Sequence, residues 1–156
     1  MSKTRRCISC GKEKSENEFP DNTKKTCSAC KARKHNRSVS GDHKAFLRDL
    51  CSKAKYAVNS GRRADHVEWR LKPEDLYKLW DVQKGRCAIS GVILTHHKDG
   101  SGHKDFNASI DRISNDRSYS PDNIQRVCYR VNIMRHTLPG DMFYWWIRTI
   151  NDFSCN

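Results

Sequence analysis

Asn107-Ala-Ser109-Ile-Asp111-Arg112-Ile113 is followed by the turn-rich Ser114-Asn-Asp-Arg117-Ser-Tyr119-Ser-Pro121-Asp-Asn123, then by Ile124-Gln-Arg-Val-Cys128-Tyr-Arg130-Val-Asn132-Ile-Met-Arg135-His136. This stretch decides the fold. β-branched residues and a dense run of turn formers predict a strand over 107–113, a turn, a strand over 124–127 and a helix over 129–136. Asp111 then sits on a strand and Asn132 on a helix. A carboxylate and an amide carbonyl converging on one point are hard oxygen ligands, suited to Mg²⁺ or Mn²⁺ rather than zinc. Spacing alone leaves a plainer alternative, in which Asp111 caps a turn or pairs with Arg112 or Arg117.

Outward from this stretch the chain is strongly basic, with 30 Lys and Arg against 18 Asp and Glu, net +12, and seven His. Such a charge selects nucleic acid, an anionic membrane surface or an acidic protein as partner. Only 36% of the residues are hydrophobic. The apolar run Phe143-Tyr-Trp-Trp-Ile147 is far short of the roughly 20 residues that cross a bilayer. Basic residues at the N-terminus have no apolar stretch behind them, so no signal peptide is expected. A cytoplasmic protein is the expectation, with no membrane partner; if phage-encoded, it would act in the host cytoplasm. The basic clusters flank cysteines rather than an amphipathic helix, so nucleic acid, and duplex DNA first, is the expected partner.

Residues 1–37 hold 11 Lys and Arg against 4 acids and almost nothing to bury. A segment this short needs metal or disulfides to fold. Cys7-x-x-Cys10 and Cys27-x-x-Cys30, with 16 residues between the pairs, supply two knuckles for one tetrahedral Zn²⁺. The run from Lys31 through Arg33 and Lys34 to Arg37 is expected to form a helix that contacts phosphates. Ser38–Asp42 reads as a linker, and residues 43–156 as a second domain. Within it, helical spacing is expected from Asp42 to Val58, a short strand over 66–71, and a helix opening at Pro73. Residues 95–105 form a polar loop. An aromatic helix over 139–153 is expected to supply core through Phe143, Trp146, Ile147, Ile150 and Phe153. The fold class is α+β, a small zinc ribbon followed by a helix-rich domain.

Three segments resemble the HNH endonucleases, particularly the small phage-type ones: Gln83-Lys-Gly-Arg-Cys87-Ala-Ile-Ser90-Gly91, Ser109–Ile113, and Pro121 to Arg135. The resemblance spans about residues 43–153, and the N-terminal cysteine module resembles an accessory module found ahead of such domains. It implies a ββα-metal (HNH) hairpin-helix motif over about 107–136 that clamps one divalent ion and hydrolyses phosphodiesters. Asp111 matches the metal-binding acid, Asn123 the asparagine that braces the catalytic loop, and Asn132 the last metal-holding position. Two positions depart from the pattern. Arg112 stands where the family keeps its general-base histidine, and a guanidinium cannot accept a proton from water. Phosphate contact is its expected role, leaving His103 or His97 to activate water, with Tyr119 behind them. Cys87 and Cys128 have lost their knuckle partners to Ser90 and Val131, so no second zinc is expected.

The combined expectation is a zinc-containing, Mg²⁺- or Mn²⁺-dependent DNA endonuclease. One such site cuts one strand, so the enzyme nicks unless it dimerises, and no obligatory protein partner is evident. Arg117, Arg130 and Arg135 join Lys31, Arg33, Lys34 and Arg37 as expected nucleic-acid contacts. The main alternative is a catalytically inactive DNA-binding protein on the same fold. A weaker one is a zinc module that binds RNA or protein.

Overall fold

Across residues 3–63 and 66–155, which the computed structural model describes, the chain combines five helices with two small two-stranded sheets. β1 (Thr4–Arg6) pairs antiparallel with β2 (Glu13–Ser15), Thr4 facing Ser15 and Arg6 facing Glu13. The hairpin has no apolar face. It is held by Phe19, which packs with Cys7, Cys27 and Cys30 in a small core of its own, under the Arg5 guanidinium 4.3 Å from the ring centroid. Cys27 is the residue before α1 (Ser28–Ser40).

The expected linker over 38–42 does not exist as one. Ser38, Val39 and Ser40 complete α1, and α2 (His43–Asn59) starts after only Gly41 and Asp42. The reason is packing and capping. Val39 is buried with Phe46 and Leu47 in the main core, and the Ser40 hydroxyl accepts the Lys98 backbone N–H at 2.7 Å. Asp42 caps α2 by accepting from the N–H groups of Lys44 and Ala45 at 3.0 and 3.1 Å.

α3 (Pro73–Val82) has proline in its first turn, and the Asp75 carboxylate accepts from the Lys72 N–H at 2.8 Å. The strand expected over 66–71 is absent. That segment makes one isolated bridge, Trp69 to Tyr119, while Val67 and Leu71 anchor it in the core. Its apolar alternation reflects side chains inserted into the core, not a ladder. After α3 the chain turns at Gly85, with φ of 64°, where an added Cβ would lie 3.3 Å from the Trp80 ring.

β3 (Ala108–Arg112) pairs antiparallel with β4 (Ile124–Cys128), with Asp111 opposite Gln125, and α4 (Tyr129–Arg135) follows without a break. Ala108, Ile110, Ile124, Val127 and Cys128 meet Phe46, Leu47, Cys51, Leu76, Cys87 and Leu94 in one core. Arg126 is fully buried there. Its Nη2 donates to the Leu76 carbonyl, its guanidinium lies 5.3 Å from the Trp80 ring centroid, and burial pulls its pKa down to about 10 against the opposing Asp81.

α5 (Gly140–Ser154) overturns the expectation that its aromatics are core. Only Phe143 is buried. Trp146, Ile150 and Phe153 are 47%, 59% and 87% exposed. Consecutive apolar residues from Met142 to Ile147 cannot share one helix face, and little of the chain packs on this helix. No helix among the described residues is long and apolar enough to cross a membrane.

The polar loop after residue 95 is fastened to the helices through Asp49. Its carboxylate pairs with Lys98, with Lys53 at 2.9 Å and with His35 at 3.2 Å. Burial would raise this carboxyl, but the bonds from Lys98, Lys53 and His35 outweigh it and hold it at about 2. The folded pKa lies below the unfolded value of about 3.9, so this contribution is complete above that value and is lost as pH falls toward 2. Asp49→Asn is expected to destabilise the protein by about 1–3 kcal/mol at neutral pH, and by much less at pH 2, in urea titrations at both values. Phe143→Ala should cost about 3 kcal/mol and Phe153→Ala less than about 0.5, measured the same way.

Candidate metal and phosphate site

The N-terminal module brings Cys7, Cys10, Cys27 and Cys30 together, all four sulfurs within 4.8 Å of one another. Each pair sits on a tight turn, closed by Gly11 N–H to Cys7 O at 2.8 Å and by Lys31 N–H to Cys27 O at 3.0 Å. The cluster could hold a metal such as zinc. A tetrahedron with Zn–S of about 2.3 Å has sulfur–sulfur edges of about 3.8 Å, within the observed spread. The surroundings favour thiolate at Cys7 and Cys30 but not at Cys27, where the Cys30 backbone N–H is outweighed by burial and the Cys30 and Cys7 thiols, which push the thiol up to about 11. The Cys27 N–H donates to Cys7 Sγ at 3.3 Å and is the main cause that lowers Cys7 to about 6. At Cys30, burial opposes ionisation, but bonds from Cys27 and from Arg33 Nη2 at 3.0 Å outweigh it, and the thiol is lowered. Lys31, Arg33, Lys34 and Arg37 are all exposed on α1, and a concavity joins Arg33, Lys34 and Arg37 to Cys10 and Cys30.

The second site lies where β3, β4 and α4 meet. Asp111 and Asn132 line a single cavity of about 230 Å³, together with Arg63, Arg112, Tyr119 and His136. Asp111 is 5% exposed, and its oxygens accept from Arg135 Nη1 at 2.6 and 2.7 Å and from Gln125 Nε2 at 2.9 Å. Of the roughly four lone-pair positions of a carboxylate, three are thereby used. Asn132 donates through Nδ2 to Ser109 Oγ at 2.6 Å, so its Oδ1 is the end that could meet a cation. Asn123 is fully buried and fastens the loop after β3. Its Oδ1 accepts from Ser114 N–H, and its Nδ2 donates to the carbonyls of Ser114 and Ser118, all at 3.0 Å.

The arginines divide by what holds them. Arg135 was expected to contact nucleic acid, but it is 1% exposed, and its charge is taken up by Asp111 and by the carbonyls of Arg112 and Ile113 at 2.8 and 2.9 Å. Asp111 therefore pairs with Arg135, not with Arg112 or Arg117. Arg130 Nη2 donates to both oxygens of Asp105 at 2.9 and 3.0 Å, and Arg117 Nη2 donates to Asp122 Oδ2, both at the surface. Arg112 lies over the Tyr119 ring, 5.2 Å to its centroid, and donates to the Arg117 carbonyl at 2.9 Å.

Neither His97 nor His103, expected to activate water, lines the Asp111 cavity. The backbone N–H of His97 is tied to Asn107 Oδ1 at 2.9 Å, at the start of β3, and its ring lies so close to Gly102 that an added Cβ would come within 2.2 Å. His103 is exposed, 3.7 Å from Asp105. Two basic cavity residues, His136 and Arg63, are not singled out by the sequence. His136 carried a signal, since it follows Asn132 by four positions at the end of a helix. Arg63 carried none, because it reaches the cavity from beyond α2.

No protein-family model, no curated protein and no solved structure matches this chain.

The purified protein is expected to carry one Zn²⁺ per chain by elemental analysis. Removal by a chelator, or Cys27→Ser, should unfold the first 30 or so residues, since tetrathiolate binding contributes on the order of 10 kcal/mol. Loss of far-UV ellipticity with the metal, regained on adding Zn²⁺, is the readout.

Proposed function

We propose that the protein is a divalent-metal-dependent DNA endonuclease of HNH type that nicks one strand per event. The observation that carries this reading is the cavity shared by Asp111 from β3 and Asn132 from α4, with Arg112 and Arg63 on its wall. Asp111 and Asn132 offer hard oxygens to Mg²⁺ or Mn²⁺, which would polarise a phosphodiester and balance the charge on the departing oxygen. Arg112 and Arg63 hold phosphate oxygens, a task for which a guanidinium is well shaped. Asn123 keeps the loop between β3 and β4 in place. The N-terminal module, stapled by Zn²⁺, lays the basic face of α1 along the DNA backbone, which adds affinity without reading sequence.

A second reading, a DNA-binding protein that does not cut, is favoured by one observation. Arg135 already occupies both oxygens of Asp111 and neutralises the acid that a cation needs. Supercoiled plasmid separates the two. With Mg²⁺ or Mn²⁺ the wild-type protein should convert it to open circles. Asn132→Ala, which leaves the Asp111–Arg135 pair intact, should slow this by at least about 100-fold while DNA binding persists. Asp111→Ala should abolish nicking but also destabilises the fold, so its melting point must be measured alongside. Retained, salt-sensitive DNA binding with no nicking under either ion would establish the second reading.

A further inference from the structure

The Asp111 cavity needs a group that can take a proton from water, and the two histidines expected to do so, His97 and His103, do not line it. Arg112 is a permanent cation. The Asp111 carboxylate is closed off by Arg135 and Gln125. Tyr119 is buried beneath Arg112 and packs against Trp69, ring centroids 5.2 Å apart. Among the described residues His136 is the one histidine that lines this cavity, and it is exposed.

The backbone at His136 is also unusual. It follows the last residue of α4, its N–H donates to the Asn132 carbonyl at 2.9 Å, and it has φ of 49°, a conformation that non-glycine residues adopt rarely. Nδ1 engages the Thr137 hydroxyl at 3.2 Å, which leaves Nε2 as the ring nitrogen that can accept a proton. A residue with positive φ at the end of α4 thus places an imidazole on the wall that Asp111, Asn132 and Arg112 share.

We infer that His136 is the general base of this site, in place of the histidine that Arg112 replaces. The assignment rests on the endonuclease reading above. A water molecule gives one proton to His136 Nε2 as its oxygen bonds to phosphorus. The ester P–O bond opposite breaks, its electron pair leaves on the sugar oxygen, and that oxygen takes a proton from solvent. The imidazolium then returns its proton to solvent. Arg112 and Arg63 hold the phosphate during this exchange.

The test is plasmid nicking by full-length wild type, His136→Gly, His136→Gln, His97→Gln and His103→Gln across a Mg²⁺ titration, with and without added imidazole. Both His136 variants should lose at least about 100-fold in rate at saturating Mg²⁺. The Mg²⁺ concentration for half-maximal rate should not change, and imidazole should restore His136→Gly at least tenfold. His97→Gln and His103→Gln should nick like wild type. His136→Gly should melt at or above the wild-type temperature, because glycine relieves the positive φ. Near-wild-type nicking by the His136 variants, or recovery by excess Mg²⁺ rather than imidazole, would overturn the assignment while leaving the endonuclease reading standing. Absence of nicking by the wild type would remove both.

Discussion

One guanidinium joins β3 to the helix that follows the hairpin. Arg135, at the end of α4, bonds both oxygens of Asp111 and the carbonyls of Arg112 and Ile113, and almost none of it reaches solvent. α4 has only seven residues, too few to be stable on its own, so these bonds and the one from Asn132 to Ser109 fix where it lies. Removing either partner would leave a buried charge without compensation, typically a loss of about 3–5 kcal/mol. The same pair sets the electrostatics of the cavity. Its floor is neutral, so Arg63 and Arg112 make its wall positive, which suits a phosphate more readily than a free cation. A metal seated at Asp111 has to share that carboxylate with Arg135, and this tension is what divides a nuclease from a mere binder.

The N-terminal module is built on a different principle. Its four cysteines and Phe19 form a core too small to fold alone, and the sulfur cluster takes the place of apolar area. Yet the module is not strung on a tether. α1 continues through Ser40, Val39 enters the main core, and Ser40 binds the backbone of Lys98. His35 on α1 and Lys98 beyond α3 meet on Asp49 of α2. The basic face of α1 is therefore held to the body by buried and paired groups.

Local chemistry was legible where it acts over a few residues. The helix starts near Asp42 and at Pro73, the two cysteine knuckles and the order of strand, strand and helix after Asn107 all follow from neighbours within a turn or a hairpin. Periodicity misled where its meaning depends on what lies opposite. Val67, Trp69 and Leu71 alternate as a strand does, but they insert into the core from a single bridge. The aromatics of α5 look like core, but apolar character states only what a residue would bury, and here most of that helix is uncovered.

The sequence by itself determined the sulfur cluster, the net charge, and the placing of Asp111 on a strand and Asn132 on a nearby helix, because spacing and composition are properties of neighbouring residues. Tertiary structure alone decided that Arg135 is spent inside on Asp111, that Arg63 and His136 reach the same cavity, and that His97 and His103 do not. Those outcomes depend on which distant side chains share a space. Among several arginines and histidines of equal chemistry, only packing distinguishes the one that is buried and paired from the one left facing the cavity.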